Sequence, residues 1–267
     1  MAKSAIAPFM RIKLLFQVTD RPFSLESAWG LATGLVRDEG IMSLWRGNSA
    51  VLVRTMPYVS IHFLAHDIAE EALRERPGEN LSAGRKFAAG AFAGVTGTVC
   101  TYPLDLIRAR MAVGPVYTWT HLVKDIYGQW GISGFYRGLT VTLAGIVPYT
   151  GIAWTIKGKL NESLSGARKR KLTAVEKLAC GSTAGLIAQA ITYPLEMVRR
   201  RMQMPLNEKL GNDSVGGTLR TLVRTEGAQG LFKGFTLNVI KGPIAIGISF
   251  ATFDTLKEWF TPKTTRR

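Results

Sequence analysis

One pattern in this chain, proline, carboxylate two residues on, base three further, limits its possible folds more than any other feature. It occurs in "YPLDLIRARMA" from Tyr102 and "YPLEMVRRRMQ" from Tyr193, with a degenerate copy in "APFMRIKLLFQ" from Ala7. The prolines, Pro8, Pro103 and Pro194, lie 95 and 91 residues apart. A second signature follows each copy: "EGIMSLWRG" (Glu39–Gly47), "WGISGFYRG" (Trp130–Gly138) and "EGAQGLFKG" (Glu226–Gly234). Self-similarity at this period means three copies of one supersecondary unit, each needing its neighbours to bury what it cannot bury alone.

Hydropathy says what the unit is made of. The 267 residues are 46% hydrophobic with a mean hydropathy of +0.10, yet carry a net charge of +15. The stretches Gly47–Ala65, Phe87–Leu104, Gly138–Ile156, Leu178–Leu195 and Gly234–Phe253 are nearly free of charge. Each is close to the ~20 residues that cross a bilayer as a helix. They are rich in small residues, and the spacings Gly90 to Gly94 and Gly181 to Gly185 predict close helix approach there. The expected unit is a span kinked at proline, a polar loop holding a short surface helix, then a second span. The surface helices are predicted at Leu25–Arg37, Trp119–Tyr127 and Val215–Arg224. Three units, residues 1–77, 78–166 and 167–267, give an all-α membrane protein of six transmembrane helices. The first helix is expected to be short, because only Met1–Ala7 precedes Pro8 whereas Phe87–Thr101 precedes Pro103. A truncated gene model, a fragment and a divergent form all fit that shortness.

The tripled P-x-[DE]-x-x-[KR] with its aromatic-basic-Gly partner resembles the mitochondrial carrier family over nearly the whole chain. The resemblance implies a six-helix barrel with a central site, alternating access, and a multi-pass place in the mitochondrial inner membrane. Kinked odd-numbered helices would draw together the carboxylate of one repeat and the base of the next. The matrix-side gate residues are then Lys13, Asp105, Arg108, Glu196 and Arg199. Met10 stands where the first acid belongs, so one link should be absent and one base unpaired. The family's cytosolic gate is intact only in the third repeat, at Asp254 and Lys257 after Phe253. The first repeat has Asp67 but then Glu70, and the second has Gly158 and Asn161. A weak cytosolic gate predicts an outward-open resting state. The same losses also leave open a degenerate carrier that binds without transport.

Seven residues on from the glycines Gly47, Gly138 and Gly234 stand Arg54, Gly145 and Lys241. Equivalent positions in equivalent helices share one depth around one axis. An ammonium or guanidinium at membrane depth persists where it faces water or a partner. Two cations with no acid at that level therefore predict a wet cavity for an anion, and Arg suits phosphate particularly well. Gly145 and Ile146 leave a flat apolar surface where a planar base could stack. Asn48 and Tyr149, with Thr55, Tyr58 and Thr150, are further lining candidates. These three positions coincide with the family's substrate contact points, and Gly followed by an aliphatic residue implies an adenine-containing solute. The finer resemblance, longest in "LFKGFTLNVIKGPIAIGISFATFD" (Leu231–Asp254), is to family members that carry coenzyme A. It implies exchange of coenzyme A, dephospho-coenzyme A or adenosine 3′,5′-diphosphate for matrix adenine nucleotides. ADP/ATP and thiamine pyrophosphate remain alternatives at this stage.

Other functions find little support in the residues. His62, His66 and His121 are dispersed without a metal-site pattern, and Cys100 and Cys180 make no disulfide framework. There is no phosphate-cradling glycine loop, no catalytic constellation and no cofactor motif, so the expectation is not an enzyme. The bases cluster beside membrane-length segments, which suits anionic lipid such as cardiolipin better than nucleic acid. A monomer is expected.

Overall fold

The computed structural model describes residues 2–19, 21–74, 81–114, 118–168, 170, 172–204 and 214–260. The first unit runs through α1 (Ala2–Ala5), α2 (Ala7–Val18), α3 (Leu25–Glu39) and α4 (Asn48–Ala72). The second is α5 (Ala83–Val113), α6 (Trp119–Trp130) and α7 (Leu139–Arg168). The third is α8 (Ala174–Gln203), α9 (Val215–Gly230) and α10 (Phe235–Phe260). No strand forms among the described residues. Helices of 25 to 31 residues are about 37–46 Å long at ~1.5 Å per residue, enough to cross a hydrocarbon core of ~30 Å. Among the described residues, one stretch, Trp119–Gly166, which holds α7, is apolar enough to qualify as a span by composition alone.

Local chemistry sets the boundaries. Ser24 caps α3 in a reciprocal capping box with Ser27, and Thr173 caps α8 in one with Glu176. Ser82 and Ser214 accept from the first-turn amides of α5 and α9. Pro8 sits in the first turn of α2, where its missing N–H costs nothing. Pro103 and Pro194 lie inside α5 and α8, as Pro57 and Pro148 lie inside α4 and α7.

The helices form a ring. α4 lies along α5, and α7 along α8, so the second span of each unit packs on the first span of the next. α2 touches α5, α8 and α10, and α1 touches α10, which closes the circle. Each surface helix is stapled beneath its own proline-bearing helix. Ile12 and Phe16 of α2 bury against Ala28 of α3, and Leu106 and Ile107 of α5 against Leu122 and Ile126 of α6. Tyr193 and Met197 of α8 bury against Leu222 of α9.

Of the four spaced glycines only Gly185 meets a neighbouring helix, its would-be Cβ 3.7 Å from the Tyr149 hydroxyl. Gly90, Gly94 and Gly181 face open space. The buried small stripe is one residue away on the α-helical wheel, at Ala89, Ala93 and Gly97, where the Tyr58 ring lies 3.3 Å from the place a Cβ would take. Ala184 and Ala188 do the same for α8. Successive helical residues point ~100° apart, so the alanines beside the glycines carry the contact.

Polarity is distributed inside out. Leu52, Val53, Met56, Phe63, Leu64 and Ile68 of α4 are exposed, whereas Arg11, Lys13, Gln17, Asp105, Arg200 and Gln203 are buried. A contiguous apolar exterior of this extent marks a surface made for lipid.

Candidate functional site

The helices α2, α5 and α8 converge on a buried network of ion pairs, although the proline of α2 opens the helix at its first turn and so does not kink it as expected. Lys13 Nζ donates to Glu196 Oε1 at 2.6 Å. Arg199 pairs with Asp105, whose side chain is only 2% exposed. Two of the three links that threefold spacing allows are thus formed. Met10 cannot form the third, and among the described residues Arg108 has no carboxylate partner.

Aromatic rings and amides brace the network from below. Gln17 Nε2 donates to Tyr193 Oη at 3.0 Å, and Gln203 Nε2 to Tyr102 Oη at 3.2 Å and to Asp105 Oδ2 at 3.1 Å. The tyrosine hydroxyls in turn donate to the carbonyls of Lys233 and Arg137. Lys13 sits 5.3 Å over the Tyr193 ring and Arg199 5.7 Å over that of Tyr102. Arg200 lies 3.7 Å from Asp105 and donates to Gln203 Oε1 at 2.8 Å. Sequence reading missed these braces, although the signal is there. Gln17 and Gln203 both stand nine residues after a repeat proline, where the second repeat has Ala112, and both tyrosines directly precede a proline.

The three aromatic-basic-Gly elements lock this layer to its neighbours. Gly47, Gly138 and Gly234 have φ of 82°, 81° and 75°. That left-handed region is free only to glycine. Each packs on the base position of the following repeat. A Cβ on Gly47 would lie 2.9 Å from the Arg108 carbonyl oxygen, one on Gly138 3.3 Å from that of Arg199, and one on Gly234 3.2 Å from Lys13 Cγ. Beside them, Glu39 holds Arg11 and Arg46, each at 3.0 Å, and Glu226 holds Arg201 and Lys233. The second repeat has Trp130 in that place, its ring 4.8 Å from the Arg110 guanidinium and 5.0 Å from that of Arg137.

Above the network lies a cavity of about 400 Å³, within the ~300–1,000 Å³ usual for small-molecule sites. Arg54, Lys241 and Asn48 all line it, with Thr55 and Tyr58. Lys3, which sequence reading did not single out, also lines it and donates to Thr55 Oγ1 at 2.8 Å. Among the described residues the lining includes cations but no carboxylate. Arg54 reaches down to Asp105 Oδ1 at 2.9 Å and lies 5.3 Å over the Tyr58 ring. Asn48 Nδ2 donates to Ser4 Oγ at 3.1 Å.

Gly145 and Ile146 do not share this cavity, contrary to the expectation of one common well. With Tyr149 they line a separate hollow of about 230 Å³ that also meets Glu196 and Arg199. The physical reason is the chain of ion pairs Arg54–Asp105–Arg199, which joins the two spaces and fills the ground between them. Thr150 turns its hydroxyl back to the Ile146 carbonyl at 2.8 Å and lines neither space. Of the residues expected at the cytosolic gate, Asp67 is exposed and 3.9 Å from His66 Nδ1. The side chains of Asp254 and Lys257 lie outside the described residues.

Apolar side chains outward and a braced, charged interior beneath a cationic cavity suit a protein that passes a polar solute through a bilayer. The class is a membrane solute carrier. The sequence profile described as mitochondrial carrier protein matches residues 1–77, 79–168 and 170–264, and the chain belongs to the mitochondrial carrier family. It is similar to the mitochondrial coenzyme A transporter SLC25A42 of Homo sapiens, at 42% identity over 96% of this chain and 83% of that protein. It is also similar to the mitochondrial substrate carrier family protein P of Dictyostelium discoideum (37% identity, 97% of this chain, 90% of that protein). The mitochondrial carrier protein CoAc2 of Zea mays is 36% identical over 96% of this chain and 82% of that protein. The chain is thus a mitochondrial membrane protein of three carrier repeats.

Proposed function

We propose that this protein exchanges coenzyme A or a related adenine nucleotide, such as dephospho-coenzyme A or adenosine 3′,5′-diphosphate, for matrix adenine nucleotides across the mitochondrial inner membrane. The observation that carries the reading is the cavity of Arg54 and Lys241, lined by cations and by no described carboxylate. Arg54 has Asp105 as a partner, contrary to the expectation of no acid within its reach, but Lys3, Lys241 and Arg108 have no carboxylate partner among the described residues. Like charges gathered in low dielectric need an anion, and phosphates with an apolar, planar body meet that need. Relatives named as coenzyme A transporters support the cargo. Asn48 holds polar groups of the cargo, and Gly145, Ile146 and Tyr149 offer its adenine a surface in the neighbouring hollow, reached once an anion draws Arg54 away from Asp105. Lys13, Asp105, Glu196 and Arg199 act as the matrix gate, with Asp67, Asp254 and Lys257 opposite on the cytosolic side. Asp105 couples cargo to gate because it accepts both Arg54 and Arg199. An anion that draws Arg54 upward weakens the hold on Asp105, and binding energy offsets the opening of the plug. The protein works as a monomer, with cardiolipin at its basic surface.

The test is uptake of labelled coenzyme A, ADP and thiamine pyrophosphate into liposomes holding the purified protein. Coenzyme A exchange is expected, and Arg54→Ala and Lys241→Ala should each abolish it. Undiminished exchange in both variants refutes the site. Uptake of thiamine pyrophosphate but not adenine compounds refutes the cargo, and binding without exchange refutes transport.

A further inference from the structure

Arg108 is a gate base without a gate partner. Its expected acid is Met10, whose sulfur instead accepts from Lys241 Nζ at 3.5 Å. The carboxylate on its own helix, Asp105, is already shared. Oδ1 accepts from Arg54, while Oδ2 faces Arg199, Arg200 and Gln203. Glu196 is held by Lys13. Among the described residues no hydrogen bond or ion pair satisfies the Arg108 guanidinium. The side chain is half-buried and lines the cavity floor beside Met10, Leu14 and Lys241. It also borders the narrow gap inside the plug, with Lys13 and Glu196. A guanidinium so placed has its donors without a hydrogen-bonded partner until something anionic arrives.

Resting on the function proposed above, we infer that Arg108 has left the gate and become a phosphate ligand of the substrate. A phosphate takes the place of the carboxylate that Met10 lacks. With Arg54 and Lys241 on the same cavity wall, the third cation gives the site grips for more than one phosphate. The substrate class is therefore an adenine nucleotide with separate phosphate groups, such as a 3′,5′-bisphosphate or its coenzyme A ester. Arg presents its donors in a planar fork that fits two phosphate oxygens at once, which a freed gate base can use without any change of backbone. The same substitution weakens the plug and equips the cavity.

The experiment titrates the full chain, purified in detergent, with adenosine 3′,5′-bisphosphate and with adenosine 5′-monophosphate, reading both Kd and the unfolding temperature of the unliganded protein. Wild type is expected to prefer the bisphosphate. Arg108→Ala should weaken its binding roughly tenfold to a hundredfold, the range for one charge-assisted contact, and should narrow the preference. Arg108→Lys should recover part of the loss. Met10→Asp is the decisive variant. It gives Arg108 an internal partner, so it should raise the unfolding temperature while lowering bisphosphate affinity. Met10→Asn, equal in size but uncharged, should lose less. If Met10→Asp and Arg108→Lys both bind as wild type does, Arg108 serves structure alone and the inference is overturned. If wild type binds neither nucleotide, the proposed function fails and takes the inference with it.

Discussion

Trp130 offers the sharpest check on how the three repeats are held at their lower ends. In the first and third repeats a carboxylate, Glu39 or Glu226, gathers one base from a proline-bearing helix and one from the aromatic-basic-Gly element. In the second an indole does this, with Arg110 and Arg137 over its ring at 4.8 and 5.0 Å. Arg110 is 2% exposed and donates through Nε to the Gln203 carbonyl at 2.9 Å, but among the described residues its two terminal nitrogens find no hydrogen-bond acceptor. The ring face is what those nitrogens have. Each cation–π contact contributes ~0.5–2 kcal/mol, so Trp130→Ala should cost about 1–4 kcal/mol from the two contacts. At ~2–4 °C per kcal/mol for a chain of this size, thermal unfolding in detergent should move down by several degrees. Trp130→Glu should fall less than Trp130→Ala, because it rebuilds the node the other two repeats use. An unshifted Trp130→Ala, or a Trp130→Glu that melts below it, refutes the equivalence of indole and carboxylate at this node.

The other predictions concern the plug and its glycines. Glu196→Gln leaves Lys13, 3% exposed, as a buried charge without its partner. Removing one member of such a pair costs ~3–5 kcal/mol, so the variant should unfold earlier and leak preloaded nucleotide from liposomes. Unchanged retention would deny the pair a gating role. Gly47→Ala places a methyl 2.9 Å from the Arg108 carbonyl oxygen at a φ of +82°. Strain of ~1–3 kcal/mol is expected, read as a lower unfolding temperature. Gly30→Ala in the exposed face of α3 meets nothing within 4 Å. It should hold or raise that temperature by the ~0.5–1 kcal/mol that alanine gains over glycine in a helix. Equal shifts in the two variants would contradict the close packing at Gly47.

How much of this could be read from residues alone depends on whether a feature repeats. Threefold spacing carried the helix plan, the surface helices and the partners Lys13 with Glu196 and Asp105 with Arg199, because symmetry fixes a contact without any knowledge of side-chain direction. Met10 was visible for the same reason, since a missing member shows against two copies that have it. What periodicity cannot give is the path a long side chain takes. Arg54 and Gly145 occupy matching positions, yet Arg54 extends to Asp105 and fills the ground between two hollows, while Gly145 has no side chain and lies 4.0 Å by its would-be Cβ from Leu195. Three equivalent backbone positions therefore do not make one equivalent surface. The glycine spacing held only at Gly185, for a related reason. A G-x-x-x-G pattern says that one face of a helix is thin, and the burial of Ala89, Ala93 and Gly97 shows that the neighbouring helix chose the adjacent face. The braces lie between these cases. Gln17 and Gln203 recur at one offset, but Ala112 breaks the pattern, and only the geometry reveals that two tyrosines and a shared carboxylate wait for them. The asymmetries, Met10, Gly145, Ala112 and Trp130, are where one chain departs from its own repeat. They fall at the plug, the hollow, the brace and the lower node, where the threefold frame alone does not dictate the contact.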